Sequence, residues 1–437
     1  TADNNVLIGQ GAGEATTTGA NNVAMGQLAL AANIGGTTNV AIGRSALTAN
    51  LSNYNTAVGG NSLTSNTDGA DNVAIGHDAL KTNTTVSKNT AVGKAAMELT
   101  TTGGENTAIG YSALYANTTG PYNVAVGRSA LSANTVGNRN VAVGMQAMGS
   151  GINVGQKNIA IGYQAGLPIT SGVRNVIIGD EAGIAMTTGG TNTIVGTEAG
   201  KAIVTTGDNT IVGNEAGKLT TTTLTAFGAF AGHDHVDGYN NTLIGRYAGR
   251  EITNGHSNTV LGHASLQTAT TAVTNTALGM HALRLTTTGS DNTAVGHEAL
   301  DANTTGASNT AVGQDSLTLN TTGANNVAVG RLALAANTTA SDNVSVGQTS
   351  LMANTTGTGL TALGTAAGRF NTTGSNNTFL GMNSGYTNTT GASNVAVGHS
   401  AMNLNTTGYD QTAAGYRALA ANTTGFRNTA FGADSLL

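Results

Sequence analysis

Apolar and polar positions in this chain recur with a period of 17 residues. Asn292-Thr293-Ala294-Val295-Gly296 is followed by Asn309-Thr310-Ala311-Val312-Gly313 and then by Asn326-Val327-Ala328-Val329-Gly330. Numbering each unit from this glycine as position zero gives 26 units between Gly9 and Gly432, with irregular steps of 16 into Gly59, 18 into Gly162 and 15 into Gly228. Position −3 is Val, Ile or Thr in all 26 units, which suits a strand. A unit this short cannot hold two helices and their loops, but it can hold two short strands and two turns. The pattern therefore predicts an all-β fold, a parallel β-solenoid (β-roll) of about 26 coils forming one repeat domain over 1-437, with slimmer Gly-type coils about 153-250. Stacked at about 4.8 Å per coil, such an array would be on the order of 125 Å long. The glycines at zero and in the recurring Asn-Thr-Thr-Gly turn are expected to supply positive φ at the corners.

Strand parity puts positions −3 and −1 on one face and Asn at −4, Ala at −2 and Gly on the other. The β-branched face is expected to fill the coil. Asn stands at −4 in 23 units, the exceptions being Leu224, Leu360 and Gln411. Asn292, Asn309 and Asn326, with Gly296, Gly313 and Gly330, are thus expected to form structural ladders, side-chain amides bonding to one another or to the turn backbone. Glycosylation of Asn-Thr-Thr is the functional alternative, and its regular recurrence favours structure.

Positions −2 and +4 covary. Leu or Met occupies +4 in 17 units, and 15 of those have Ala at −2; Gly occupies +4 in nine, and six of those have a large residue at −2, such as Ile177, Ile194, Leu243 and Phe379. Constant summed volume marks two residues filling one packed space. With −1 and −3 taken as the interior, −2 would be buried from outside by another copy of the chain. Ala294, Ala311 and Ala328, with Leu300, Leu317 and Leu334, are then the expected oligomer interface. The alternative is that −2 shares one narrow lumen with +4.

Composition narrows the function classes. Charged residues are 9% of the chain, Trp and Cys are absent, and the net charge is −5 without a basic stripe, so no nucleic-acid partner is expected. No apolar run reaches the ~20 residues of a membrane span, so no membrane insertion is expected. The chain starts at Thr1, which suggests processing or excision from something longer.

Asn326-Val327-Ala328-Val329-Gly330 with Ala333, and Asn72-Val73-Ala74-Ile75-Gly76 with Ala79, resemble the head repeats of trimeric autotransporter adhesins (YadA-like β-rolls). Related Asn-Thr-Ala-Val-Gly repeats occur in phage tail fibres. The resemblance extends over essentially all 437 residues, although the family's unit is a few residues shorter. It implies left-handed coils, a homotrimer around one axis, and an extracellular place on a cell surface or virion fibre.

Candidate chemistry is sparse. His233, Asp234, His235 and Asp237 form the one dense run of possible metal ligands, but without a recognised ligand spacing, so a solvated turn is the favoured reading and no metal is expected. His77, His263, His297 and His399 follow the repeat glycine where other units carry Arg44, Lys94 or Gln314, which reads as an exposed position. Asp180 and Glu181 read as a solvated corner. No catalytic constellation or cofactor motif is found, so the chain is not expected to be an enzyme and no cofactor is expected. The ten Tyr residues, Tyr54, Tyr111 and Tyr247 among them, offer a weak surface for a host-cell glycan or protein. Three functions follow in order. First comes a structural and adhesive extracellular fibre, then a filament stacking end to end through uncapped coil ends, then an ice-binding solenoid. The last is ranked lowest because Thr at −3 is expected to face inward.

Overall fold

The computed structural model describes residues 2–436. Every repeat contributes one short strand, giving 26 strands and, among the described residues, no helix. Two compact units divide the chain, Thr1–Thr221 and Thr222–Leu437. The first carries the strands from β1 (Val6–Ile8) to β13 (Thr210–Val212), the second those from β14 (Leu224–Phe227) to β26 (Thr429–Phe431). Within each unit successive strands pair in parallel without slippage. Val73, Ala74 and Ile75 lie opposite Thr90, Ala91 and Val92 in the first unit, and Thr293, Ala294 and Val295 opposite Thr310, Ala311 and Val312 in the second. Each repeat is thus one coil, and the expected all-β parallel solenoid is the observed fold.

Only one side of the coil is strand, where two were expected. Positions +1 to +7 instead form two tight turns, closed by Ala299 N–H to the Gly296 carbonyl and Asn303 N–H to the Leu300 carbonyl. Glu298 at φ 54° is the third residue of the first turn, as a type II turn requires. The remaining backbone groups pair from coil to coil. Asp315 N–H donates to His297 of the preceding coil, and Leu300 N–H to Ser316 of the following one. No second strand is needed to satisfy them.

Positive φ falls mainly on non-glycine residues at −5, +2 and +4, such as Asp291, Glu298 and Leu300. The glycine at zero does adopt it, but proximity also excludes a side chain there. A Cβ on Gly313 would stand 2.7 Å from the carbonyl carbon and oxygen of Gly330. The glycine at +10 needs no positive φ, contrary to expectation; a Cβ on Gly306 would press on the Asn303 amide and the Gly323 carbonyl.

The inside and outside of the coil are the reverse of the expected assignment. Ala294, Ala311, Ala328, Leu300, Leu317 and Leu334 are all 0% exposed within a single chain, so they line the lumen and cannot form an oligomer interface. Thr293 and Val295 flank the buried Ala294 without being buried themselves. The cause is width. Asn at −4 and +7, Ala at −2 and +3, and Leu at +4 already fill a lumen closed by 17 residues, leaving no space for two further β-branched side chains per coil. Parity alone cannot tell one face from the other, whereas the shared volume of −2 and +4 could.

That shared volume is visible in the packing. A Cβ on Gly385 would run into the Phe379 ring, and one on Gly200 would lie 3.2 Å from Ile194 Cδ1. Ala160, Ala226 and Ala362 are small at −2 although their coils also have Gly at +4. Their space is filled from the next coil. Ile177 reaches over Gly166, Leu243 over Gly232 and Phe379 over Gly368. Volume is therefore conserved over adjacent coils rather than within each one.

Candidate functional site

Two Asn ladders hold the lumen. Asn309 N–H and Nδ2 both donate to Asn292 Oδ1, at 3.0 and 3.1 Å, and Asn326 repeats the arrangement on Asn309 at the same distances. The second ladder stands at +7, where Asn320 Nδ2 donates to Asn303 Oδ1 at 3.0 Å. The ladders converge on one carbonyl: Asn292 Nδ2 and Asn303 Nδ2 reach Gly306 O at 2.9 and 3.0 Å. Both ladders are buried, so these amides are structural and not accessible glycan acceptors. Gly296, Gly313 and Gly330 stack beside them as expected.

The accessible surface has two features. The first is the outer strand face. All 26 residues at −1 are apolar, and none is buried. Beside them at −3 stand only Val, Ile and Thr. Ile42, Ile75 and Ile109 in the first unit are 37, 40 and 42% exposed, and Leu261 and Leu363 in the second are 47 and 53% exposed. Neither rank contains a charge.

The second feature is the corner at +1 and +2, where side chains of successive coils stack. In the first unit this column carries Glu181, Glu198 and Glu215, bridged by lysines at +5: Lys201 lies 2.7 and 3.2 Å from Glu181 and Glu198, and Lys218 lies 2.5 and 2.8 Å from Glu198 and Glu215. Hydrogen bonds from Lys218 and Lys201 hold Glu198 below the usual carboxylate range. In the second unit the column is partly aromatic. Phe230 stacks on Tyr247 at 5.3 Å, and Tyr247, His263, His281 and His297 follow with ring centroids 5.8 to 6.3 Å apart. Away from this corner, at −6, Tyr239 and His256 stack at 4.4 Å, and Tyr409 and Phe426 at 5.3 Å. Aromatic residues thus pair across coils, an order that the spread of Tyr positions along the sequence conceals.

The run His233, Asp234, His235 and Asp237 is divided between lumen and surface. His235 is 0% exposed and occupies the +7 position between Thr220 and Ile252, its Nε2 3.1 Å from Nδ2 of Asn241 in the −4 ladder. Burial lowers its pKa to about 4. Asp237 is exposed on the turn. His233 Nδ1 and Asp234 Oδ1 approach each other at 2.5 Å. His235 is thus a lumen residue and not part of a solvated turn, while Asp237 stays near enough to act on its imidazole electrostatically. A different group converges: ligand atoms of His297, Glu298 and Asp315 all lie within 4.8 Å of one another.

No protein-family model matches the chain, and no curated protein matches its sequence. Fold and surface therefore carry the functional reading. The corner group escaped sequence reasoning because each histidine was weighed alone. A column reading would have found it, since His281, Glu298 and Asp315 all stand at +2 in consecutive coils.

Proposed function

We propose that this chain is a structural, non-catalytic part of an extracellular fibre, in which copies associate side by side through the outer strand face. The apolar rank at −1, unbroken within each unit, supports this reading. Contiguous exposed apolar surface of this extent marks an interaction site. A second copy offers a matching rank along the same direction, and the face carries no charge to specify a different partner. Burial would stabilise association by roughly 25 cal/mol per Å² of apolar surface, before the cost of lost freedom. The resemblance to trimeric adhesin heads suggests three copies, with exposed Tyr54 and Tyr111 as points of contact for a host-cell glycan or protein.

Light scattering on the full chain tests this. A discrete mass near three chains is expected, falling to one chain when Val295, Val312 and Val329 are all replaced by Lys. A single-chain mass before substitution would contradict the reading, and threads that lengthen with concentration would point to end-to-end stacking instead.

One observation favours a second reading. Thr225, Thr242, Thr259, Thr276, Thr293 and Thr310 stand at −3 in six consecutive coils, and none is buried. The inward orientation that argued against ice binding is thus not found. Freezing-point hysteresis lost on replacing these threonines would support it, and its absence from the unaltered protein would end it.

A further inference from the structure

We propose that the corner formed by His297, Glu298 and Asp315, with His281 stacked beside Glu298, binds one divalent transition-metal ion of the zinc class. These residues come from three consecutive coils of the second unit. His281 Nδ1 lies 3.7 Å from Glu298 Oε1, and His297 Nε2 lies 3.8 Å from the same atom. Both distances are too long for hydrogen bonds. They suit ligands around a common ion, because two donors each about 2.1 Å from a tetrahedral centre stand roughly 3.4 Å apart. Asp315 closes the group, its carboxylate within 4.8 Å of the ligand atoms of His297 and Glu298.

Two further observations point the same way. The Nδ1 atoms of His281 and His297 are both buried and have no hydrogen-bond partner, an arrangement that a metal bond or a reoriented ring would relieve. The equivalent column of the first unit shows how stacked carboxylates are otherwise neutralised. There Glu181, Glu198 and Glu215 are bridged by Lys201 and Lys218. In the second unit, among the described residues, Glu298 faces only imidazoles, and Asp315 has no ion-pair partner. The nearby Arg284 is held by Asp301, its Nε 2.8 Å from Oδ1. A cation from solution would take the place of the lysines.

Donor chemistry selects the ion. Imidazole nitrogen with carboxylate oxygen suits zinc and its first-row neighbours, whereas calcium and magnesium take oxygen ligands alone. Such an ion would tie three coils together at an exposed corner and stabilise the folded second unit by mass action.

The test uses the full chain, purified without a histidine tag and stripped with chelator. Cobalt(II) is titrated while its visible absorption is followed, and zinc is then added in competition. One cobalt per chain is expected, displaced by zinc but not by calcium. The double variant E298Q/D315N should weaken binding more than about 100-fold, with its circular dichroism unchanged. The control H233A should bind as the parent does. Binding that survives E298Q/D315N, equal competition by calcium, or no cobalt signal up to millimolar metal would each overturn the proposal. If E298Q/D315N fails to fold, H281A/H297A replaces it and must likewise abolish the cobalt bands.

Discussion

Two kinds of coil fill one lumen in opposite ways. In the first unit, coils from Gly26 to Gly144 carry Leu or Met at +4, Ala at −2 and mostly Asn at +7. Coils from Gly179 to Gly213 carry Gly at +4 and Ile177, Ile194 and Ile211 at −2, with Met186, Ile203 and Thr220 at +7. The Leu-type coil places a bulky residue in the left-handed region, Leu47 at φ 51° for example, at a cost of roughly 1–2 kcal/mol. Complete burial of that side chain contributes roughly 1.5–3 kcal/mol and outweighs it by a small margin. The Gly-type coil avoids the strain by entering the lumen from the strand side, and it gives up the second Asn ladder. Ladder ends are left with unmet groups: Asn83 Oδ1 has no hydrogen-bond partner where Thr100 replaces the next Asn, and Asn134 Oδ1 has none beside the lengthened coil.

The Phe379 coil gives the strongest test of this comparison, because one ring serves two Gly-type coils, those of Gly368 and Gly385, that stand between Leu-type neighbours. Phe379→Ala empties space over both Gly368 and Gly385 and should destabilise the second unit by about 3–5 kcal/mol, read from denaturant unfolding. A loss below about 1 kcal/mol would mean that the neighbouring coils close the space by themselves.

Next in size is a pH effect at His235. Its pKa is about 4 in the folded chain against 6.5 when exposed, chiefly because burial disfavours the charged imidazole. The unfolded chain therefore gains a proton below 6.5 that the folded chain refuses until about 4. Stability should be full above 6.5 and fall by about 3 kcal/mol as pH drops through that window, levelling off below it. His235→Asn would keep a polar side chain beside Asn241 without a titrating ring and should remove this dependence, as melting curves across the window would show.

Breaking a ladder should cost less. Asn309→Ala leaves the buried Asn326 N–H without its acceptor, for a loss of about 1–3 kcal/mol. Smallest, and opposite in sign, is Thr100→Asn, which supplies the amide that Asn83 Oδ1 lacks. It should stabilise the first unit by about 0.5–1.5 kcal/mol, a gain measurable by calorimetry.

Much of this architecture was legible in the sequence. The strand positions and their register follow from the spacing of the Asn-x-Ala-x-Gly motif, and the −4 ladder from the recurrence of Asn. The side of the strand facing inward was misread because Thr293 and Val295 look like core residues and Ala294 does not. The covariation of −2 with +4 held the right answer, and the narrow-lumen alternative accounts for it. Turn conformation was hidden for a related reason. Leu300 at φ 55° contradicts its own preference and is held there by the lumen that it fills. The corner group of His281, Glu298 and Asp315 depends on stacking between coils, which reading along the chain conceals.

The most direct test of the shared lumen is a double-mutant cycle at Phe379 and Gly385, followed by denaturant unfolding of the full chain. If one volume can be filled from either side, Gly385→Leu alone should destabilise, because its side chain meets the Phe379 ring. Combined with Phe379→Ala, it should recover at least half of the stability lost by Phe379→Ala alone, converting the coil to the Leu type. Losses that simply add in the double variant would contradict the account.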